Sequence, residues 1–221
     1  MRFRKTRDLA SYGIIPTNSK SLESLYPDLI SKNGKLLELT KAGRLIRLKR
    51  GLYVVSPQEH GLSLSQELLA NHIYTPSYVS MLSALRYHHF IPEIYPDDER
   101  YIQSLTVKHT RSFENQLGYF EYTKTDAKYF MLGVQILPLL DTQILMASPE
   151  KALCDLVAHT DLLNLRYLPD AKHYLLNDLM ISEESCLKFD CSIFEKYIAT
   201  GGKKAMSIKK IIEYLKKNSD L

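Results

Sequence analysis

No run in this 221-residue chain approaches 18 consecutive apolar residues, so no membrane-crossing helix is expected. Nor does an apolar segment follow the basic start Met1-Arg2-Phe3-Arg4-Lys5, and nothing there reads as an export signal. The three cysteines, Cys154, Cys186 and Cys191, are too few and too scattered for a disulfide framework and fit a reducing cytoplasm. Catalytic signatures are missing too: no HExxH, no paired CxxC, no P-loop and no GxSxG. Cys186-x4-Cys191 is a weak metal spacing, and His88 and His89, about 100° apart on one helix, do not share an ion. Asp97-Asp98-Glu99 reads as a solvated turn in a proline-flanked loop. Glu114, Glu121 and Asp126 leave only a minor nuclease alternative. The expectation is therefore a protein that is not an enzyme, with no catalytic residues, no metal and no cofactor. There is also no internal repeat and no low-complexity segment.

What is present is an uneven distribution of charge. Hydrophobic residues make up 45% and charged residues 24%, an ordinary globular composition with a net charge of +4. Residues 1–60, however, hold 12 Lys/Arg against 5 Asp/Glu, residues 61–202 hold 11 against 18, and residues 203–221 hold 6 against 2. The chain thus has two basic ends around an acidic middle, as expected when one module meets phosphate and another does not. Solvated faces also carry charge runs, so charge alone leaves the choice open.

The local signals of the first 60 residues sharpen it. Residues 5–13 suggest a short helix closed by Gly13 and Pro16. Ser19 or Ser21 caps a second helix through Leu22, Leu25 and Tyr26 that stops before Pro27. Ser31 or Asn33 caps a third helix, with Gly43 as its left-handed terminator. Leu36 and Leu39 face its core, and Lys32, Lys35, Glu38 and Lys41 take the other side. Residues 44–55 alternate as a hairpin turned at Gly51. Two helices, a turn, a third helix and a basic hairpin predict a winged helix-turn-helix that binds double-stranded DNA. Ser31, Lys32 and Lys41 belong to the interface, Asn33 and Lys35 lie where a recognition helix reaches base edges, and Arg44, Arg47, Lys49 and Arg50 suit phosphates. Helix–helix–hairpin units also serve as protein-binding modules, and the density of cations favours nucleic acid.

Residues 56–66 read as a linker. Beyond it the pattern predicts a helix at 67–73, a break at Thr75-Pro76 and a helix from Ser80 to His88 with Ser83 completing a capping box. Strands follow at 101–109, 118–124, 129–137 and 142–147, the first two joined by the Asn115–Gly118 turn. Ser148-Pro149-Glu150 opens a helix through Ala158, and a last helix covers Ser207–Lys217. Phe113, Phe120 and Tyr122, with Arg111, read as cross-strand packing ahead of a partner surface. The fold class is α+β, with a winged helix-turn-helix at 1–60 and a small mixed sheet followed by helices at 61–221.

Four blocks of this sequence resemble the AbiEi-type antitoxins of bacterial type IV toxin–antitoxin systems. They are Lys41–Val54, Pro76–Glu93, Leu105–Tyr122 and Met146–Leu156, in the same order and spacing. The fourth, Met-Ala-Ser-Pro-Glu-Lys-Ala-Leu-Cys-Asp-Leu, is the most specific. The resemblance implies an N-terminal domain on operator repeats and a C-terminal antitoxin domain. It implies a repressor of its own operon, monomeric or homodimeric, that opposes a cognate nucleotidyltransferase-like toxin without necessarily gripping it. One departure is His89, where the family often has glycine after the helix of the second block. The terminal lysines Lys203, Lys204, Lys209, Lys210, Lys216 and Lys217 have no counterpart role.

Overall fold

The computed structural model describes residues 8–93 and 100–219, and these form an α+β structure. After a single 3-10 turn at Leu9–Tyr12 come β1 (Thr17–Asn18), α1 (Ser19–Glu23), α2 (Lys32–Lys41) and the hairpin β2 (Leu45–Lys49) and β3 (Leu52–Val55). The first turn is shorter than the helix expected at 5–13, of which residues 5–7 lie outside the described part. Asp8 caps it, accepting the Ser11 amide at 2.9 Å. Asn18, rather than Ser19 or Ser21, caps α1 by accepting the Ser21 amide at 2.9 Å. The expected end of α2 is observed: Gly43 stands at φ 71°, the Gly43 amide donates to the Thr40 carbonyl and the Arg44 amide to that of Leu39. Strands β1, β3 and β2 make an antiparallel sheet, and Leu9, Leu22, Leu36, Leu39, Leu45 and Val55 bury a small core beneath it.

The presumed linker is partly structured. Ser56 is buried and opens the one-turn helix α3 (Pro57–His60). The chain continues through α4 (Gln66–Ile73), β4 (Ser77–Val79), α5 (Met81–Tyr87), β5 (Tyr101–Thr106), β6 (Arg111–Asn115), β7 (Gly118–Lys124), β8 (Val134–Leu139) and β9 (Thr142–Ala147). These strands form a six-stranded mixed sheet in the order β6-β7-β5-β4-β9-β8. Three strand expectations need correction. The Asn115–Gly118 turn joins β6 to β7, and β5 runs parallel to β7 instead of forming its hairpin partner. The stretch 129–137 begins as a 3-10 turn, Ala127–Tyr129, so strand pairing starts only at Val134. Strand β4 was not anticipated; it is short and buried on both sides, with parallel pairing to β9 through Val79 and Met146.

The helices α6 (Pro149–His159), α7 (Leu168–His173), α8 (Glu183–Cys186), α9 (Cys191–Ala199) and α10 (Ala205–Ser219) complete the chain, with a wider π-type turn at Tyr174–Asp178. Ser148 caps α6, Pro149 takes its first position and Glu150 its first turn, as the sequence predicts. Helix α6 divides two cores. Ala152 and Leu156 join the sheet core, while Leu153, Cys154 and Val157 join the core of the last helices. Ile208, Ile211, Ile212 and Leu215 of α10 are buried in the latter. No helix of the described residues is long and apolar enough to cross a membrane.

The small N-terminal sheet is not an independent layer. Leu45 and Val55 face the small core, but Ile46, Leu48 and Val54 enter the sheet core beside Leu68, Leu69 and Phe120. The hairpin therefore contributes buried side chains from its two faces to two different cores, with Arg47 left exposed between them. The Asn115 amide donates to the Leu48 carbonyl at 3.2 Å, which ties β6 to β2.

Candidate nucleic-acid interface

Helix α2 is amphipathic by the simplest rule. Each residue advances about 100°, so the burial of Leu36 and Leu39 leaves Asn33 on the exposed flank and turns Gly34, Leu37, Glu38 and Lys41 to the opposite side. All four are exposed. Lys32 and Lys35 are half-buried, which corrects the expectation for those two, while Glu38 and Lys41 are exposed on the outer side as expected. Lys35 is further engaged with Glu38 at 2.7 Å. Ser31 occupies the N-cap position without a side-chain cap bond, and a β-carbon on Gly34 would stand 2.7 Å from its hydroxyl. The helix thus presents Ser31 and Asn33 at its start and Leu37 and Lys41 further along.

The four hairpin cations meet different fates. Arg47 and Arg50 are exposed. Arg47 makes a 3.4 Å contact to the Lys49 carbonyl, and neither has a carboxylate partner among the described residues. Arg44 is held by Glu59 through two hydrogen bonds of 2.6 and 2.7 Å, which raise its pKa and lower that of Glu59. Lys49 bends back, donating to the Ile73 carbonyl and lying 5.8 Å from the Phe113 ring centroid. The residues assigned to phosphates are therefore two open arginines, one arginine shared with a carboxylate and one half-buried lysine.

Folding adds two cations that the sequence reading placed elsewhere. Lys108 donates to the Thr75 carbonyl and lies 5.4 Å from the Tyr74 ring. Arg111 stacks 5.0 Å from Phe113. Both lie close enough to Lys49 that, after burial, their charges are the forces lowering its pKa. The overall acidity of residues 61–202 concealed them; the signal was the local run Lys108-His109-Thr110-Arg111 between two strands. Phe113 packs at 5.7 Å from Tyr74 and 5.8 Å from Tyr122, so this aromatic group is cross-strand packing with a cationic rim.

Acidic groups do not assemble in the same way. Glu121 accepts from the Tyr101 hydroxyl, and Asp126 accepts the Lys128 amide at 3.0 Å. Asp97, Asp98 and Glu99 lie outside the described residues. Among the described residues, no group of three or more His, Cys, Asp or Glu side chains is placed to hold a metal ion.

A second charged arrangement is wholly internal. Lys151 and Asp155, one turn apart on α6, are fully buried and 2.7 Å apart. The Tyr78 and Ser80 hydroxyls donate to the other carboxylate oxygen at 2.9 and 2.8 Å. The rings of Tyr78, Tyr129 and Tyr197 surround the ammonium at 5.7, 5.2 and 5.5 Å. Burial, and then the Asp155 charge, push the Tyr78 hydroxyl far up. Ser80 therefore spends its hydroxyl on Asp155 instead of capping α5, and Ser83 bridges to β5 by accepting the Gln103 amide at 3.0 Å. At the other end of α5, His89 adopts the left-handed φ of 59° that a glycine would favour, with the Phe90 amide donating to Leu85. Compared with known proteins, the chain matches no family model and no curated sequence.

Proposed function

We propose that residues 8–60 are a winged helix-turn-helix that binds duplex DNA, with α2 in the major groove and the β2–β3 hairpin along the backbone. The observation that carries this reading is the clustering of Lys49, Lys108 and Arg111. Besides burial, the charges of the other two lower the pKa of Lys49, and none of the three makes an ion pair among the described residues. An arriving phosphate relieves that repulsion. Arg47 and Arg50 on the same hairpin extend the site. On α2, Asn33 suits an adenine edge and Leu37 a thymine methyl. The interface thus crosses from the N-terminal unit onto the β6 edge of the larger sheet.

The resemblance of the four sequence blocks to AbiEi-type antitoxins supplies the purpose: an autorepressor and antitoxin in a type IV system, opposing a nucleotidyltransferase-like toxin. A fluorescence titration with the DNA upstream of the gene tests the binding. Affinity is expected to fall steeply with salt, with a slope of about 0.9 per phosphate contact. Lys108→Ala/Arg111→Ala is expected to weaken binding across sequences, and Asn33→Ala to change sequence preference. Unchanged affinity in both variants at low salt overturns the assignment.

Exposed Leu29, Ile30 and Leu37 favour a second reading, in which the helical pair meets a protein without DNA. Co-expression with the adjacent gene separates the two. Rescue from a toxic neighbour by a chain that binds no DNA supports the second; operator binding without rescue retains the repressor alone.

A further inference from the structure

The loop after α6 and the start of α10 enclose a cleft of about 470 Å³ lined by Leu162, Leu163, Asn164, Lys204, Met206 and Ser207. Two large apolar side chains stand open there, Leu162 at 101% and Met206 at 64% exposure. The backbone is unusual at the same place. Leu162 has φ 61° and Lys204 has φ 54°, a left-handed region that bulky residues with a β-carbon rarely enter. Lys204 has a local reason, since its ammonium donates to the Thr160 carbonyl and staples the loop to α10. Leu162 sits at the centre of a three-residue turn closed by the Leu163 amide donating to the Asp161 carbonyl at 2.8 Å, but its side chain has no partner to pack on among the described residues. It accepts an unfavourable backbone and buries nothing in return.

The surroundings are cationic. Lys203 precedes the cleft, and Lys209 follows Met206 by one turn of α10, where it also lines the adjoining groove with Glu195 and Glu213; neither makes an ion pair among the described residues. Lys210 is neutralised by Glu213 at 2.8 Å, and Asp161 is the acid beside Leu162. Residues 203–221 as a whole carry six lysines against two acids.

We infer that this cleft docks an acidic polypeptide segment, with an apolar side chain against Leu162 and Met206 and carboxylates beside Lys203, Lys204 and Lys209. A bare polyanion uses the lysines but leaves the two apolar side chains in water, so it matches half of the surface. The site shares no residue with the proposed DNA interface and does not depend on that reading.

The test uses the full chain and three fluorescein-labelled peptides read by anisotropy. One is acidic with two central leucines (Asp-Glu-Leu-Leu-Glu-Asp), one has serines in place of the leucines, and one has the acids replaced by lysines. Saturable binding is expected for the first, at least tenfold weaker binding for the serine peptide, and none for the basic one. Lys203→Glu/Lys209→Glu is expected to weaken the first at least tenfold. Leu162→Gly is expected to do the same while the Tm holds or rises, because glycine accepts the left-handed backbone. Met206→Asp supplies an independent variant on the helix side. Equal binding of the serine peptide, no saturable binding of the acidic leucine peptide up to millimolar concentration, or wild-type affinity in both Leu162→Gly and Met206→Asp overturns the inference.

Discussion

Helices α2 and α6 are nearly equal in length, ten and eleven residues, yet they use charge in opposite ways. Helix α2 buries two leucines and offers much of its remaining surface to solvent. Helix α6 buries every residue from Glu150 to Ala158, including three charged ones. Inside α6 each charge is consumed: Lys151 by Asp155, Asp155 also by two hydroxyls, and Glu150 by the Ser148 hydroxyl at 2.7 Å and the Asp190 amide at 3.0 Å. On α2, Lys41 is exposed and makes no ion pair among the described residues. The first arrangement ties two cores together and leaves nothing for a ligand. The second leaves charge available to a partner.

The largest expected effect lies inside α6. Lys151→Met strands a buried carboxylate and is expected to cost about 3–5 kcal/mol, read by urea unfolding. Lys151→Met/Asp155→Leu is expected to recover most of that loss, because the desolvation of both ions disappears together. A single variant within about 0.5 kcal/mol of wild type removes the pair from the account of stability.

Leu39→Ala attacks the other helix through its core and is expected to cost about 2–4 kcal/mol. Because Ile46, Leu48 and Val54 of the hairpin sit in the sheet core, the loss should appear in one cooperative transition of the whole chain. Two resolved transitions in calorimetry would show that the two regions unfold separately.

Acid separates the regions further. Burial lowers the pKa of His72, His88 and His159, all outside the N-terminal unit. The unfolded chain then binds more protons at low pH, so this contribution to stability is full above the ordinary histidine pKa of about 6.5 and is lost as pH falls through the lowered values. His72→Gln is expected to reduce that slope. An identical pH profile in the variant argues against His72 as its source.

The smallest effect on stability is expected where the effect on binding is large. Arg47→Ala/Arg50→Ala is expected to change unfolding free energy by no more than about 0.5 kcal/mol, since neither side chain is buried. The slope of log affinity against log salt is expected to fall by about 0.9 for each phosphate that is no longer neutralised. A substantial loss of stability in this variant would give the hairpin arginines a structural role.

Several features were readable in the chain because their physics is local. Ser148 and Pro149 start α6, Gly43 ends α2, and Gly51 at φ 77° turns the hairpin. In each, the chain satisfies or releases its own backbone groups within a few residues. The core stripe of α10 was equally plain, because Ile208, Ile211, Ile212 and Leu215 recur at the helical period. The α+β class followed from such elements in order.

Partners far apart in the chain were a different matter. The parallel pairing of β5 with β7 and of β4 with β9 depends on which strands meet across the sheet, a choice no short window contains. Lys49 read as a free wing cation until the Ile73 carbonyl, 24 residues away, claimed it. Lys151 and Asp155 stood one helical turn apart in plain view, but their burial is set by Tyr78, Tyr129 and Tyr197 from three other segments. By itself the sequence determined where α6 begins, where α2 ends and which ends of the chain are basic, because those caps, turns and charges are local properties. The tertiary structure alone decided which of those charges remain open to a partner, because burial and ion pairing are properties of whatever else arrives at the same place.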